Sequence, residues 1–158
     1  MDLYRRYGPA LLRKAGRVLA NPSDAEDVVQ ALFVDLIARG ETDVDLPYLY
    51  RAVTNRCLNL LRDRGTRARL LERHDPALRA PERTRCDEVV IGHDLLHKLL
   101  DRLDERAAEV LVYRYFDDLT QDEIAALIDT SRRTIGKRLA AIRAEVLRLT
   151  GAAAGGAP

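Results

Sequence analysis

The stretch LTQDEIAALIDTSRRTIGKRL, Leu119 to Leu139, contains two helix starts with a sharp turn between them. Thr120 followed by Glu123 is a capping box, in which the hydroxyl accepts a first-turn backbone N–H and the carboxylate reaches back to the cap. The helix it opens is expected to bury Ile124, Leu127 and Ile128. Asp129 can take the left-handed conformation that the turn requires, and Ser131 caps a second helix whose Ile135, Leu139, Ile142, Val146 and Leu149 form one seam. The other face shows Arg132, Arg133, Lys137 and Arg138. Arg132 and Arg133 directly follow the cap, where the helix dipole disfavours cations by up to about 1 kcal/mol. A helix that pushes its N-terminus into the major groove recovers that cost, because a good bidentate arginine contact contributes roughly 1–3 kcal/mol of base discrimination. The stretch therefore reads as a DNA-binding helix-turn-helix with candidate contacts Ser131, Arg132, Arg133, Thr134, Lys137 and Arg138. A structural helix pair with a solvated basic face is the alternative.

Helical periodicity continues on either side. Upstream, Leu95, Leu96, Leu99, Leu100 and Leu103 form a stripe, which breaks at Leu103-Asp104 and resumes through Val110, Leu111, Tyr115 and Phe116. Near the N-terminus, Leu11, Leu12, Ala15, Val18 and Leu19 define a first helix. A second, with Ser23 and Glu26 as its expected capping box, is expected to bury Val28, Val29, Leu32, Phe33, Leu36 and Ile37 and to stop at Gly40. Pro47 opens a third, with Leu49 or Tyr50, Val53, Cys57, Leu60 and Leu61 on one face and Arg51, Asn55, Asn59 and Arg62 on the other. From Gly65 to about Glu88 the pattern decays into an arginine-rich, proline-containing stretch with no stripe, and strand signals are nearly absent throughout. The predicted fold is all-α: two small helical domains, 1–66 and 91–150, joined by a flexible basic linker, 67–90, with a disordered tail, 151–158.

The chain has 158 residues and a formal net charge of +1, with 47% hydrophobic and 32% charged residues. That charge is sorted by position. Asp24, Glu26, Asp27, Asp35, Glu41, Asp43 and Asp45 crowd one block, and Arg51, Arg56, Arg62, Arg64, Arg67, Arg69 and Arg73 dominate the next. Such sorting suits a protein that offers an acidic face to one partner and basic faces to phosphates. Two cysteines are too few for a disulfide framework. The N-terminus lacks the apolar core of a signal peptide, and no apolar run reaches the roughly 18 residues of a membrane helix. A cytoplasmic protein without membrane insertion is expected. Cys86, His93 and His97 raise the question of a metal or redox site, but no further ligand follows at zinc spacing, and neither a metal nor another cofactor is expected. No phosphate loop, nucleophile elbow or framed acid–base pair points to an enzyme.

Taken together, DAEDVVQALFVDL (Asp24–Leu36), LPYLYRAVTNRCLNLLRDR (Leu46–Arg64) and LDERAAEVLVYRYFDDLTQDEIAALIDTSRRTIGKRLAAIR (Leu103–Arg143) resemble the bacterial RNA polymerase sigma factors, specifically the short extracytoplasmic-function group of the sigma-70 family. The resemblance runs from about Tyr4 to Leu149. It implies an N-terminal, region 2-like domain that binds core polymerase and melts the promoter minus-10 element, and a C-terminal, region 4-like domain that reads the minus-35 element. The implied polymerase contacts are Asp27, Gln30, Ala31 and Val34, with Ala31 standing where the family usually has Glu. The implied minus-10 contacts are Tyr48, Arg51, Asn55, Arg56, Asn59 and Arg62, with Asn59 replacing a frequent Asp. A base turned out of the stack would enter a pocket rimmed by Gly40–Leu46, and Tyr48 and Tyr50 are the stacking candidates. Gly136 stands where the family often has Lys, and Asp129 where Gly often makes the turn. The implied partners are core polymerase through its clamp and flap elements, promoter DNA as duplex and melted strand, and an anti-sigma factor. Two other readings are a stand-alone helix-turn-helix regulator and a degenerate sigma-like adaptor that opens no promoter.

Overall fold

The computed structural model describes residues 2–71, 83–86 and 89–151. By its internal contacts the chain falls into two compact units, Met1–Leu61 and Arg62–Pro158.

The first unit is built from α1 (Asp2–Leu19), α2 (Pro22–Arg39) and the first part of α3 (Leu46–Leu71). Leu11, Ala15 and Val18 of α1, Val28, Val29, Leu32, Phe33 and Leu36 of α2, and Leu49, Val53, Cys57, Leu58 and Leu61 of α3 are buried. Burying a leucine-sized side chain stabilises by about 1.5–3 kcal/mol, so these stripes supply the unit's cohesion. Ala20, left-handed at φ 51°, ends α1, and Asn21 caps α2 by accepting the Asp24 N–H at 3.2 Å. The Ser23–Glu26 box expected from the sequence is therefore displaced. Pro22 is suited to the first helical turn because its missing N–H would be unpaired there, which makes the residue before it the cap. Gly40, at φ 69°, closes α2, its N–H donating to Ile37 O at 3.0 Å while the Glu41 N–H donates to Leu36 O at 2.9 Å. Ile37, expected inside, is 73% exposed: the buried stripe narrows to Leu36 in the last turn. α3 begins at Leu46, one residue before Pro47, with Asp45 Oδ1 accepting the Tyr48 N–H at 2.9 Å.

The second unit contains α4 (His93–Leu100), α5 (Glu105–Tyr115), α6 (Gln121–Leu127) and α7 (Arg132–Val146), which runs on into a π-helical turn, Leu147–Gly151. Asp104 caps α5 through the Ala107 N–H at 2.7 Å, the break anticipated at Leu103-Asp104. Leu96, Leu99, Val110, Leu111, Ile124, Ile135, Leu139 and Ile142 are buried, as is Tyr113, whose hydroxyl donates to the buried Glu109 Oε1 at 2.8 Å. Leu127 and Leu149, placed on the buried stripes by spacing, are half-buried. The fold is all-α as read, with two departures in the expected linker 67–90: α3 continues into it as far as Leu71, and β1 (Arg83–Cys86) pairs antiparallel with β2 (Val89–Gly92), Cys86 opposite Val89. Val89-Val90-Ile91 is a β-branched run that a search for longer alternating strands passes over. The rest of that segment (72–82 and 87–88) and the tail from 152 lie outside the described residues.

Candidate nucleic-acid interface

In the second unit, both helix starts of the helix-turn-helix form as the sequence specifies. The Thr120 N–H donates to Glu123 Oε2 at 2.7 Å and the Glu123 N–H to Thr120 Oγ1 at 3.2 Å, completing the box. Asp129 turns the chain at φ 51°, and the Thr130 N–H donates to Ala125 O at 2.9 Å. Ser131 Oγ accepts the Thr134 N–H at 3.1 Å, and the two hydroxyls lie 2.9 Å apart. Ser131 and Thr134 are thus engaged in the cap. Arg132, Arg133 and Lys137 are exposed and Arg138 is half-buried. Arg132 Nη1 lies 3.6 Å from Asp122 Oδ2 on α6, so a neighbouring carboxylate offsets the dipole cost of a cation at that position. At Gly136 an added Cβ would meet Gln121 Oε1 at 3.6 Å, an ordinary contact.

In the first unit, Asn55 and Asn59 are exposed on α3, with Arg51 and Arg62 half-buried beside them. Arg56 is engaged: its Nη2 donates to Asp35 Oδ2 of α2. That guanidinium, beside the carboxyl and hydrogen-bonded to it, holds Asp35 below the usual aspartate range. The two stacking candidates diverge. Tyr48 is 42% exposed, whereas one face of Tyr50 is covered by the buried Lys14, whose Nζ stands 4.0 Å from the ring centroid. A cation so placed is attracted by the ring's negative face, which leaves Tyr48 as the accessible platform. Tyr48 also borders a cavity of about 650 Å³ whose other walls are Leu3, Arg6 and Tyr7 of α1 and Thr42, Asp43, Val44 and Asp45. The loop rim was legible in the sequence. The α1 wall was missed, although Arg5-Arg6-Tyr7 is a basic and aromatic cluster of the kind that binds nucleic acid.

Along α2, Asp27, Gln30, Ala31 and Val34 lie exposed in one row at helical spacing. Val34 is 63% exposed and Ile37, one turn on, 73%. These two uncovered β-branched side chains form a small apolar patch at the end of the row; Ile37 at the third residue after Val34 was the available signal for extending it. Among the described residues no cluster of three His, Cys, Asp or Glu side chains could hold a metal ion; the Cys86 side chain lies outside them. No described helix is long and apolar enough to cross a membrane.

A unit of packed helices followed by a unit that carries a helix-turn-helix with exposed cations has the architecture of a DNA-binding protein. Residues 3–67 match the model of sigma-70 region 2, and residues 93–146 match that of sigma-70 region 4. The chain is 31% identical over 156 residues to an RNA polymerase sigma-E factor of Streptomyces coelicolor, covering 92% of this chain and 85% of that one. It is 30% identical over 155 residues to the RNA polymerase sigma-E factor of Streptomyces avermitilis, covering 92% and 83%. Among solved structures, CnrH in complex with the cytosolic domain of CnrY superposes with a TM-score of 0.54 at 24% identity, covering 96% of this chain and 86% of that one. The chain belongs to the sigma-70 family of RNA polymerase sigma factors, in its extracytoplasmic-function group. It is a transcription initiation factor that binds RNA polymerase and directs it to promoter DNA. The N-terminal half that a stand-alone regulator would use for sensing or dimerisation is region 2 instead.

Proposed function

We propose that the work of initiation divides between the two helical domains expected from the sequence, 1–66 docking on core polymerase and opening the minus-10 element, and 91–150 reading the minus-35 duplex. The observation that carries this reading is the separation of chemistries. α7 presents Arg133 and Lys137 at a capped helix start suited to a groove, while the first unit presents amides, an exposed tyrosine and a cavity suited to an unstacked base. Asp27, Gln30, Ala31 and Val34 meet the polymerase clamp, with Ile37 extending the apolar contact, and the second unit meets the flap. Asn55 and Asn59, with Arg51 and Arg62 beside them, contact the opened strand. Tyr48 stacks on a base entering the cavity, a contact that contributes roughly 1–3 kcal/mol per base. Ser131 and Thr134 hold the recognition helix start in place while Arg132, Arg133, Lys137 and Arg138 face DNA. The protein performs no catalysis itself and works in the cytoplasm, where polymerase and promoter are. An anti-sigma partner restrains it, as supported by the likeness to a sigma factor solved with its anti-sigma factor NepR from Bartonella quintana, TM-score 0.50.

Purified protein added to core polymerase, with run-off transcription scored across promoters of the source genome, tests the whole reading. Asn55→Ala is expected to impair opening more than closed-complex binding, and Arg133→Ala to weaken duplex binding in a salt-dependent way. Equal effects of both on duplex affinity would refute the division. Core binding without open complexes would identify an adaptor instead.

A further inference from the structure

Arg56 directly follows Asn55 on α3, and Asp35 directly follows Val34 on α2. Their hydrogen-bonded ion pair therefore joins the helix assigned to DNA opening to the helix assigned to polymerase docking, next to a candidate contact residue on each. The two side chains remain 31% and 47% exposed, so the link lies at the surface. Left uncompensated, the Asp35 carboxylate would repel a phosphate approaching Asn55; Arg56 cancels that charge and, as the stronger donor, fixes the helix face. On α3 the second tie is Tyr50, under Lys14 of α1, roughly 9 Å away along the axis at 1.5 Å per residue. Added to the buried stripe of α3, these two ties at different heights and on different flanks restrain its rotation.

We propose that Arg56 is a positioning residue, which with Asp35 locks the rotation of the minus-10 helix to the polymerase-docked helix, and is not itself a phosphate contact. The proposal rests on the reading of α3 as the minus-10 helix. The lowered pKa of Asp35 agrees with it, because the hydrogen bond and charge of Arg56 favour the ionised, engaged carboxylate.

The test uses holoenzyme assembled from full-length variants and core polymerase, on a promoter located by run-off transcription with the unsubstituted protein. Open-complex yield is read by permanganate footprinting, and affinity for the single-stranded minus-10 oligonucleotide is read against salt. Asp35→Ala and Arg56→Ala are each expected to lower the open-complex yield by a similar factor, roughly three- to tenfold, with the double variant no worse than either. Asp35→Arg with Arg56→Asp is expected to recover most of the loss, as is Arg56→Lys in part. Core affinity, melting temperature and salt slope are expected to stay unchanged. If Arg56 contacts phosphate, Arg56→Ala will flatten the salt slope by about 0.7 while Asp35→Ala tightens binding, and the proposal is overturned. Equal loss of core affinity, or a lowered melting temperature in Arg56→Lys as well as Arg56→Ala, also overturns it. Footprinting of the unsubstituted holoenzyme reports on the minus-10 reading itself, so a failure there is distinct from a failure of the pair.

Discussion

Gly136 lies inside α7, on the recognition helix, with Lys137 and Arg138 beside it. Glycine in a helix interior costs about 1 kcal/mol relative to alanine, because its backbone loses more freedom on folding. A glycine is retained at no loss only where a side chain would collide or the backbone is left-handed, and neither holds here. Gly40 is the positive-φ glycine among the described residues, and at Gly136 a Cβ would touch Gln121 Oε1 at 3.6 Å. Gly136→Ala should therefore stabilise the second unit by about 0.5–1 kcal/mol. For a domain of this size that raises the melting midpoint by several degrees, at roughly 4–8 °C per kcal/mol. Thermal unfolding of the full chain followed by circular dichroism measures the shift. A lowered midpoint would refute the reasoning and show that α6 and α7 need the close approach glycine allows. Gly136→Lys supplies the functional arm: with a phosphate contact regained, the slope of log affinity for minus-35 duplex against log salt should steepen by about 0.9. An unchanged slope would place position 136 away from the DNA backbone.

Thr120→Ala removes half of the capping box and should cost about 1 kcal/mol, seen as a lower denaturant midpoint with an unchanged slope. Leu139→Ala, at a site 1% exposed, should cost about 2–5 kcal/mol in the same experiment. Asp35 has its pKa lowered first by the hydrogen bond from Arg56 and then by the charge of that guanidinium. Its pairing with Arg56 is accordingly complete above the ordinary aspartate range and is lost as pH falls through the lower folded value. Carboxyl-carbon NMR should show Asp35 titrating at lower pH in the unsubstituted protein than in Arg56→Ala, and coincident titrations would contradict the pairing.

The two capping motifs of the helix-turn-helix were legible because each is local: Thr120 with Glu123, and Ser131 with Thr134, complete their hydrogen bonds within one helical turn. Ser23 was misread for an equally local reason, since Asn21 and Ser23 are both good caps and Pro22 between them decides which is used. Ile37 looked buried because periodicity shows which residues share a face and is blind to where the neighbouring helix ends. The candidate site was legible as residue types sharing exposed helix faces, while its pairings were not. Arg56 with Asp35, Lys14 with Tyr50 and the α1 wall of the cavity all join residues distant in sequence, and no spacing rule reaches across that distance.

Those pairings change what the arginines can do. A chain of net charge +1 grips DNA only where its cations are not already answered by its own acids. At Arg132 the nearest carboxylate oxygen is 3.6 Å away, and the two side chains are 68% and 71% exposed. That is an ion pair without a short hydrogen bond, of a type that contributes about 0–1 kcal/mol, so a phosphate can take the guanidinium at little cost. At Arg56 the carboxylate accepts a direct hydrogen bond and is held ionised by it. Moving that guanidinium to a phosphate would strand the Asp35 charge beside a polyanion. Arg132 is thus recruitable and Arg56 is committed, although sequence patterning ranks them alike. On the same comparison, DNA affinity in this protein should depend more on Arg132 than on Arg56.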